Sequence, residues 1–200
     1  MRVHVLCSIA AMALTATAHA GILATFTDDA LSAGDPTQMG RLSRDGIISD
    51  WSGPKAFPGV INPTISYHYK TYVIPITNAP YVQITVDDPP GAIFASAYLN
   101  SYNPADLSMN YLGDAGISGN FFGVDPLFFQ VVTPENADLV LVINDPSATG
   151  AGLGAPYSLL IEGFADANFD EAPTPEPGTL LVSAGGFACL VFAWRRRRRA

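Results

Sequence analysis

The 200-residue chain has a formal net charge of −8, but its charges are unevenly distributed. Six of the ten basic residues lie near the two ends, so residues 21–175 hold four basic and 17 acidic residues, a net charge of −13. Such a domain repels phosphate backbones and favours cationic partners such as divalent metal, which argues against nucleic-acid binding. Both cysteines, Cys7 and Cys189, lie outside that span, which therefore has no disulfide, cysteine nucleophile or thiolate metal site.

The first 20 residues have the three regions of a secretory signal peptide. Arg2 supplies a positive charge, residues 3–14 are almost entirely apolar, and Ala18 and Ala20 place small side chains where signal peptidase cleaves. We therefore expect cleavage after Ala20 and a mature chain that begins at Gly21. The alternative is a first buried helix or strand of the domain, and it is disfavoured because no turn signal follows the apolar segment.

Residues 21–166 are predicted to form one all-β domain. Residues 81–86 alternate apolar and polar side chains, the period of a half-buried antiparallel strand. Strong turn sequences such as Asp87-Asp88-Pro89-Pro90-Gly91 separate these segments. No stretch shows a long 3.6-residue period, so the pattern indicates a single antiparallel β-sandwich. The predicted strands are residues 21–27, 66–76, 81–86, 93–99, 127–132, 138–144 and 157–163, and residues 28–63 are expected to form loops with short strands.

The order of several short motifs is also informative. Asp35-Pro36-Thr37-Gln38, Gly40-Arg41-Leu42 and Arg44-Asp45-Gly46 precede an aromatic strand, and Ala97-Tyr98-Leu99 and Asn110-Tyr111-Leu112-Gly113-Asp114 follow it. Over residues 26–164 this order resembles secreted β-sandwich domains related to the pre-peptidase C-terminal type. The resemblance implies a jelly-roll arrangement and an accessory module without catalytic residues. Relatives often have cysteines beside these segments; this chain has none there, so its stability depends on packing.

The domain offers few catalytic candidates. His68 is the sole histidine between residues 20 and 175, and the flanking tyrosines favour an ordinary strand residue. A serine triad would need His68 as its base, and Gly116-Ile117-Ser118-Gly119-Asn120 lacks the nucleophile elbow of serine hydrolases. A zinc site would need several His or Cys ligands. The sequence therefore predicts no catalytic and no cofactor-binding residue.

Carboxylates are plentiful, and three of them are candidate calcium ligands. Asp87 and Asp88 lie in a Pro-Gly turn and Asp114 in a glycine-containing loop. Calcium prefers such oxygens, so the three could hold an ion if the fold brought them together. The plainer interpretation is solvated turn acids, since no EF-hand spacing or Gly-Asp repeat occurs. Paired acids also hydrolyse glycosides, but two neighbours in one turn cannot flank a bond from opposite sides.

Four tyrosines stand out on the predicted strands. A sugar-stacking face is one interpretation, but strand aromatics more often fill core and sheet-surface positions, which is the role we expect. They are Tyr67, Tyr69, Tyr72 and Tyr81.

The last residues have the order of a membrane-sorting tail. A Pro-rich linker, residues 167–177, contains Pro175-Glu176-Pro177 and precedes an apolar segment, residues 178–194. Seventeen helical residues rise about 25 Å, slightly less than a bilayer core of ~30 Å, and snorkelling arginines can absorb the difference. The final residues, 195–200, should stay cytoplasmic and leave the domain outside. A nucleic-acid-binding tail is disfavoured because the basic run adjoins a membrane-length segment. The predicted membrane stop is Arg195, Arg196, Arg197, Arg198 and Arg199.

This ordered trio at residues 175–200 resembles the PEP-CTERM sorting signal. That family combines a Pro-Glu-Pro motif, a short membrane helix and a C-terminal arginine cluster. The resemblance implies processing by an exosortase, a membrane-embedded cysteine transpeptidase-like enzyme. It also implies a Gram-negative bacterium of the kind that often makes exopolysaccharide and biofilm.

Together these features predict a non-enzymatic surface or extracellular-matrix protein, exported as a precursor anchored in the cytoplasmic membrane. Its expected partners are signal peptidase and exosortase for processing, then exopolysaccharide or envelope proteins, with no nucleic acid. We expect no cofactor, with calcium the open alternative. A secreted acid-based glycosidase with a sorting tail is the second hypothesis, and a domain that only accompanies the tail is the third. Few basic residues, one histidine and a small domain favour the first.

Overall fold

The computed structural model describes residues 21–119 and 125–165, which fall in one compact unit, Ala18–Ala167. The described residues form β-strands and no helix, so no membrane-spanning helix occurs within these two ranges. The predicted signal peptide and the apolar segment 178–194 lie outside them. The strands are β1 Gly21–Ala30, β2 Thr37–Leu42, β3 Val60–Ile76, β4 Tyr81–Asp87, β5 Phe94–Leu99, β6 Tyr111–Asp114, β7 Leu127–Val132, β8 Ala137–Asn144 and β9 Pro156–Phe164.

The strands form two sheets that pack face to face. One sheet has the order β1-β9-β4-β7 and the other β2-β3-β8-β5-β6, and every pairing is antiparallel. Alternation directs one face of each sheet inward: Ile84 of β4 and Leu141 of β8, both fully buried, belong to the same apolar core. The prediction of an all-β, antiparallel sandwich is therefore confirmed.

The sequence pattern located seven of the nine strands. It gave no bounds for β2, which lies within residues 28–63 where short strands were expected, and it began β3 at Ser66 although the strand begins at Val60. The physical reason is a bulge: the register of β2 shifts around Gly40, which has a φ of 75° and passes against β3. Such an irregularity breaks the two-residue period on which the prediction depended. The missed strand, β6, has only four residues.

Loops cover part of the outer face of the five-stranded sheet. Leu42, Phe57 and Leu107 pack beside Phe94 of β5, and the Tyr102 ring lies 4.8 Å from that of Tyr98. These contacts form a second apolar layer outside the sandwich. On the outer face of the four-stranded sheet, Trp51 of the β2–β3 loop packs against Tyr81 and Phe164 at one end, whereas Phe128 toward the other end is 53% exposed.

The two edges of the four-stranded sheet have different surroundings. At the β7 edge, the Gln130 N–H donates to the Ser49 carbonyl at 2.9 Å, and the Trp51 indole donates to the Val131 carbonyl at 3.2 Å. The segment around Ser49 thus blocks strand addition at this edge. At the other edge Gly21 pairs with Gly163, so the described chain begins and ends at the same end of the sheet.

Candidate functional site

Asp114 and Lys55 form a buried ion pair. The Lys55 Nζ lies 2.5 Å from Asp114 Oδ1 and 2.9 Å from Asp45 Oδ1, and it also donates to the Ile47 carbonyl. The Asp114 side chain is fully buried and that of Lys55 is 5% exposed. Burial raises the pKa of Asp114, although hydrogen bonds from Lys55 and Tyr111 act in the opposite direction. The cluster fastens the β2–β3 loop to the sheet, which is a structural role.

The second buried acid, Asp88, organises the turn between β4 and β5. Its carboxylate accepts the N–H groups of Ala92 at 3.2 Å and Ile93 at 2.9 Å. Burial raises the pKa of Asp88, and the nearby Asp125 carboxylate acts in the same direction. The adjacent Asp87 is exposed at the end of β4. Of the two turn acids, Asp87 and Asp88, which the plainer interpretation treats as solvated, only Asp87 is solvated.

The three candidate calcium ligands, Asp87, Asp88 and Asp114, do not share a site. Among residues 21–119 and 125–165, no three His, Cys, Asp or Glu side chains lie close enough to hold one ion. The Asp88 carboxylate is used by backbone N–H groups and that of Asp114 by Lys55. Calcium binding by these residues stays a prediction, now without a common coordination shell to support it.

A second ion-paired cluster joins β1 to β3, and it was not recognised in the sequence. Asp29 of β1 accepts hydrogen bonds at 2.6 Å from both Lys70 and Tyr72 of β3, and the Tyr72 hydroxyl lies 2.7 Å from that of Tyr157. Burial opposes ionisation of Asp29, but the hydrogen bonds outweigh it and lower the pKa of this carboxyl. Burial also raises the pKa of Tyr157 to about 12, which leaves the phenol protonated at neutral pH.

The four tyrosines singled out in the sequence have packing roles, and so does His68 of β3. Tyr67 and Tyr72 are buried, and Tyr69 packs on the outer face of the five-stranded sheet, whereas Tyr81 belongs to the other sheet. The four tyrosines therefore do not share one face. His68 is half-buried, with its Nδ1 at 3.1 Å from the Asp35 carbonyl oxygen, as expected of an ordinary strand residue.

Two shallow cavities open among the loops. One, of about 280 Å³, adjoins Lys55, whose ammonium group is already paired. The other, of about 330 Å³, is lined by Arg44 and Asp145. Arg44 donates to the Ser118 hydroxyl at 2.9 Å, and the Asp145 carboxylate accepts N–H groups of its own loop. In both cavities the charged groups are engaged by the protein itself.

The outer face of the four-stranded sheet is a different kind of surface, which we call the open sheet face. Across its centre, Gln130 Nε2 donates to Gln83 Oε1 at 2.9 Å, and Gln83 Nε2 donates to Glu162 Oε2 at 3.5 Å. The next row aligns Phe128 with Thr85 and Leu160. The alternation is visible in the sequence, but it does not show which outward-facing side chains become neighbours. The face consists of Tyr81, Gln83, Thr85, Phe128, Gln130, Val132, Leu160 and Glu162.

One comparison with known families gives a match. The model of the PEP-CTERM protein-sorting motif matches residues 173–198, 26 of the 200 residues, which supports a PEP-CTERM protein. The motif implies an exported protein that is anchored in the membrane before an exosortase processes it. No curated protein and no solved structure matches the chain, so the resemblance to pre-peptidase C-terminal domains stays a prediction.

The residues predicted to direct this sorting lie outside the described ranges. They are the cleavage-site residues Ala18 and Ala20, the tripeptide Pro175, Glu176 and Pro177, and the five arginines at 195–199.

Proposed function

We propose that the chain is a non-enzymatic surface or extracellular-matrix protein of a Gram-negative bacterium, which associates with exopolysaccharide after export. The observation that carries the proposal is the sorting-motif match at residues 173–198, directly after a β-sandwich domain. That tail would hold the precursor in the cytoplasmic membrane until exosortase acts, and it would deliver the folded domain to the outside.

The arrangement of strands supports the jelly-roll part of the proposal. The orders β1-β9-β4-β7 and β3-β8-β5-β6 are those of two Greek keys wound into a jelly roll, with β2 added at one edge. The proposed jelly roll leaves the outer face of the four-stranded sheet open except at the end where Trp51 packs against Tyr81 and Phe164. Because this fold serves many activities, the function must be argued from the surface and not from the topology.

The positions of the acids favour a binding role over the glycosidase alternative. A glycosidase of the usual kind needs two carboxyl groups that reach the bond from opposite sides. The two carboxyl groups with raised pKa, Asp88 and Asp114, are fully buried, and they hold a turn and an ion pair. Their pKa values thus reflect structural burial.

Sorting is tested by replacing Pro175-Glu176-Pro177 with three alanines in an exosortase-positive host. We expect the tail to be retained, because the prolines keep an extended and accessible segment before the apolar one. Pro173→Ala, which leaves the tripeptide intact, is the matched control and should be processed normally. Unchanged tail removal in the triple variant would contradict the sorting proposal.

The non-enzymatic part is tested separately by incubating the exported protein with soluble polysaccharides and measuring new reducing ends. We expect none above a blank. Release of reducing ends above the blank would contradict the non-enzymatic proposal and favour the glycosidase hypothesis.

A further inference from the structure

We propose that the open sheet face binds a neutral polysaccharide chain. The inference rests on the proposed association with exopolysaccharide and assigns that association to a defined surface. Three strands, β9, β4 and β7, contribute three aligned rows of side chains. With strands about 4.8 Å apart and side chains on one face about 6.8 Å apart, the rows extend ~10 Å across the sheet and ~14 Å along it. This broad and shallow shape suits an extended polymer.

The central row offers hydrogen-bonding groups held in fixed positions. Each glutamine amide has two N–H donors and a carbonyl oxygen with two lone pairs. The ladder uses one N–H of Gln130 and one of Gln83, and both side chains are half-exposed. The remaining donors and acceptors, together with the Glu162 carboxylate, can bond to sugar hydroxyls. Because the side chains already brace one another, binding requires little further ordering.

The outer rows offer apolar surface on both sides of this ladder. In one row, Phe128, 53% exposed, and the half-exposed Leu160 lie on opposite sides of Thr85. In the other, Val132, 45% exposed, lies beside Tyr81, whose ring also contacts Trp51. Sugar rings present C–H groups on their faces and hydroxyls at their edges. A surface with a polar row between apolar rows therefore matches both parts of a sugar ring, whereas a purely polar face would match only the hydroxyls.

Charge and polarity distinguish a neutral glycan from other occupants. The face contains one carboxylate, Glu162, and no basic residue, and the exposed Asp87 follows Thr85 on the same side of β4. The domain has a net charge of −13 over residues 21–175. Polyanions and a second copy of the chain are repelled by that charge. A protein partner would favour an apolar centre, because interface cores are depleted of charged groups. Here the centre is the amide and carboxylate ladder.

The test is affinity electrophoresis of the full chain in mild detergent, through gels containing laminarin, mannan, dextran or hydroxyethylcellulose, with alginate as the polyanion. We expect at least one neutral polysaccharide to retard the protein and alginate not to do so. Phe128→Ala and Gln83→Ala should each weaken that binding at least tenfold. Val73→Ala is the matched control, because Val73 is an apolar strand residue, 60% exposed, on the other sheet. Circular dichroism establishes that each variant is folded.

The outcomes separate this inference from the proposal on which it rests. If the protein binds a neutral polysaccharide and the two face variants bind equally well, the assignment to the open sheet face is wrong while the association stands. If it binds none of the four neutral polysaccharides, or only alginate, the inference is overturned. Export and tail removal, tested through Pro175-Glu176-Pro177, are unaffected by either result.

Discussion

Replacing Lys55 by methionine should destabilise the domain far more than removing an exposed cation. Methionine keeps much of the length of lysine but leaves the Asp114 carboxylate without its cationic partner. That carboxylate is fully buried and lies 2.5 Å from the Lys55 Nζ. Removing one member of a buried ion pair typically destabilises a protein by about 3–5 kcal/mol, because the other charge stays buried and unpaired.

Lys70→Met is the internal comparison. Lys70 pairs with Asp29 at 2.6 Å, but these two side chains are 32% and 27% exposed. Water solvates the remaining carboxylate there, so we expect a loss below about 1 kcal/mol. The two variants delete the same group, and burial is the main difference between them.

The effect should also depend on pH. The native pKa of Asp114 is raised by burial, so its contribution to stability is present at low pH and is lost as pH rises from the unfolded pKa through the native one. Lys55 opposes that rise, and its loss raises the native pKa further. The stability difference between wild type and Lys55→Met should therefore be small in acid, at pH near the unfolded pKa of Asp, and should grow toward neutral pH.

Urea denaturation of residues 21–172 at several pH values, followed by tryptophan fluorescence, measures these differences. Asp114→Asn added to Lys55→Met should restore part of the stability at neutral pH, because the unpaired charge is gone. The reasoning would be refuted if Lys55→Met cost no more than Lys70→Met, or if its cost did not change with pH.

Three further predictions can be checked independently. A phosphatase fused after Pro173 should be active when the signal peptide is present, because the arginine run resists translocation, and a stable but inactive fusion would contradict this topology. Millimolar calcium should leave the melting temperature of residues 21–172 unchanged relative to chelator, whereas a rise that magnesium does not reproduce would indicate a specific site. Gly116→Ala should be more destabilising in urea than Gly46→Ala, by at least about 1 kcal/mol; both have positive φ, near 69° and 78°, but only at Gly116 would the new Cβ lie 2.6 Å from the Ile47 backbone. Equal losses would show that this crowding relaxes.

The sequence predicted strands where alternation and turn residues agreed. β7 begins and ends at the predicted residues, because Leu127, Phe129 and Val131 face the core and their neighbours do not. Where a glycine bulge interrupted the period, as at Gly40, the bounds of the short strand could not be predicted. Local patterns do not encode which distant residues meet.

The buried acids and the open sheet face depend even more on contacts between distant residues, which local patterns do not encode. Asp88 and Asp114 were recognisable as unusual acids, but their burial and their partners arise only from the tertiary fold. Lys55 is 59 residues from Asp114 in the sequence, and no spacing rule pairs them. The amide ladder of the open sheet face likewise joins Gln83 to Gln130 across 47 residues. By contrast, the sorting tail could be recognised because its three parts are contiguous.

Polysaccharide binding and sorting are assigned to different parts of the chain. The described chain begins at Gly21 and ends after Phe164 at the same end of the four-stranded sheet, and residues 167–177 form the Pro-rich linker of the sequence analysis. The proposed binding residues lie on β4, β7 and β9, whereas the predicted sorting residues are 175–177 and 195–199. Sorting and binding should therefore be separable, so a variant with three alanines at Pro175-Glu176-Pro177 should keep wild-type affinity for polysaccharide while its tail is retained.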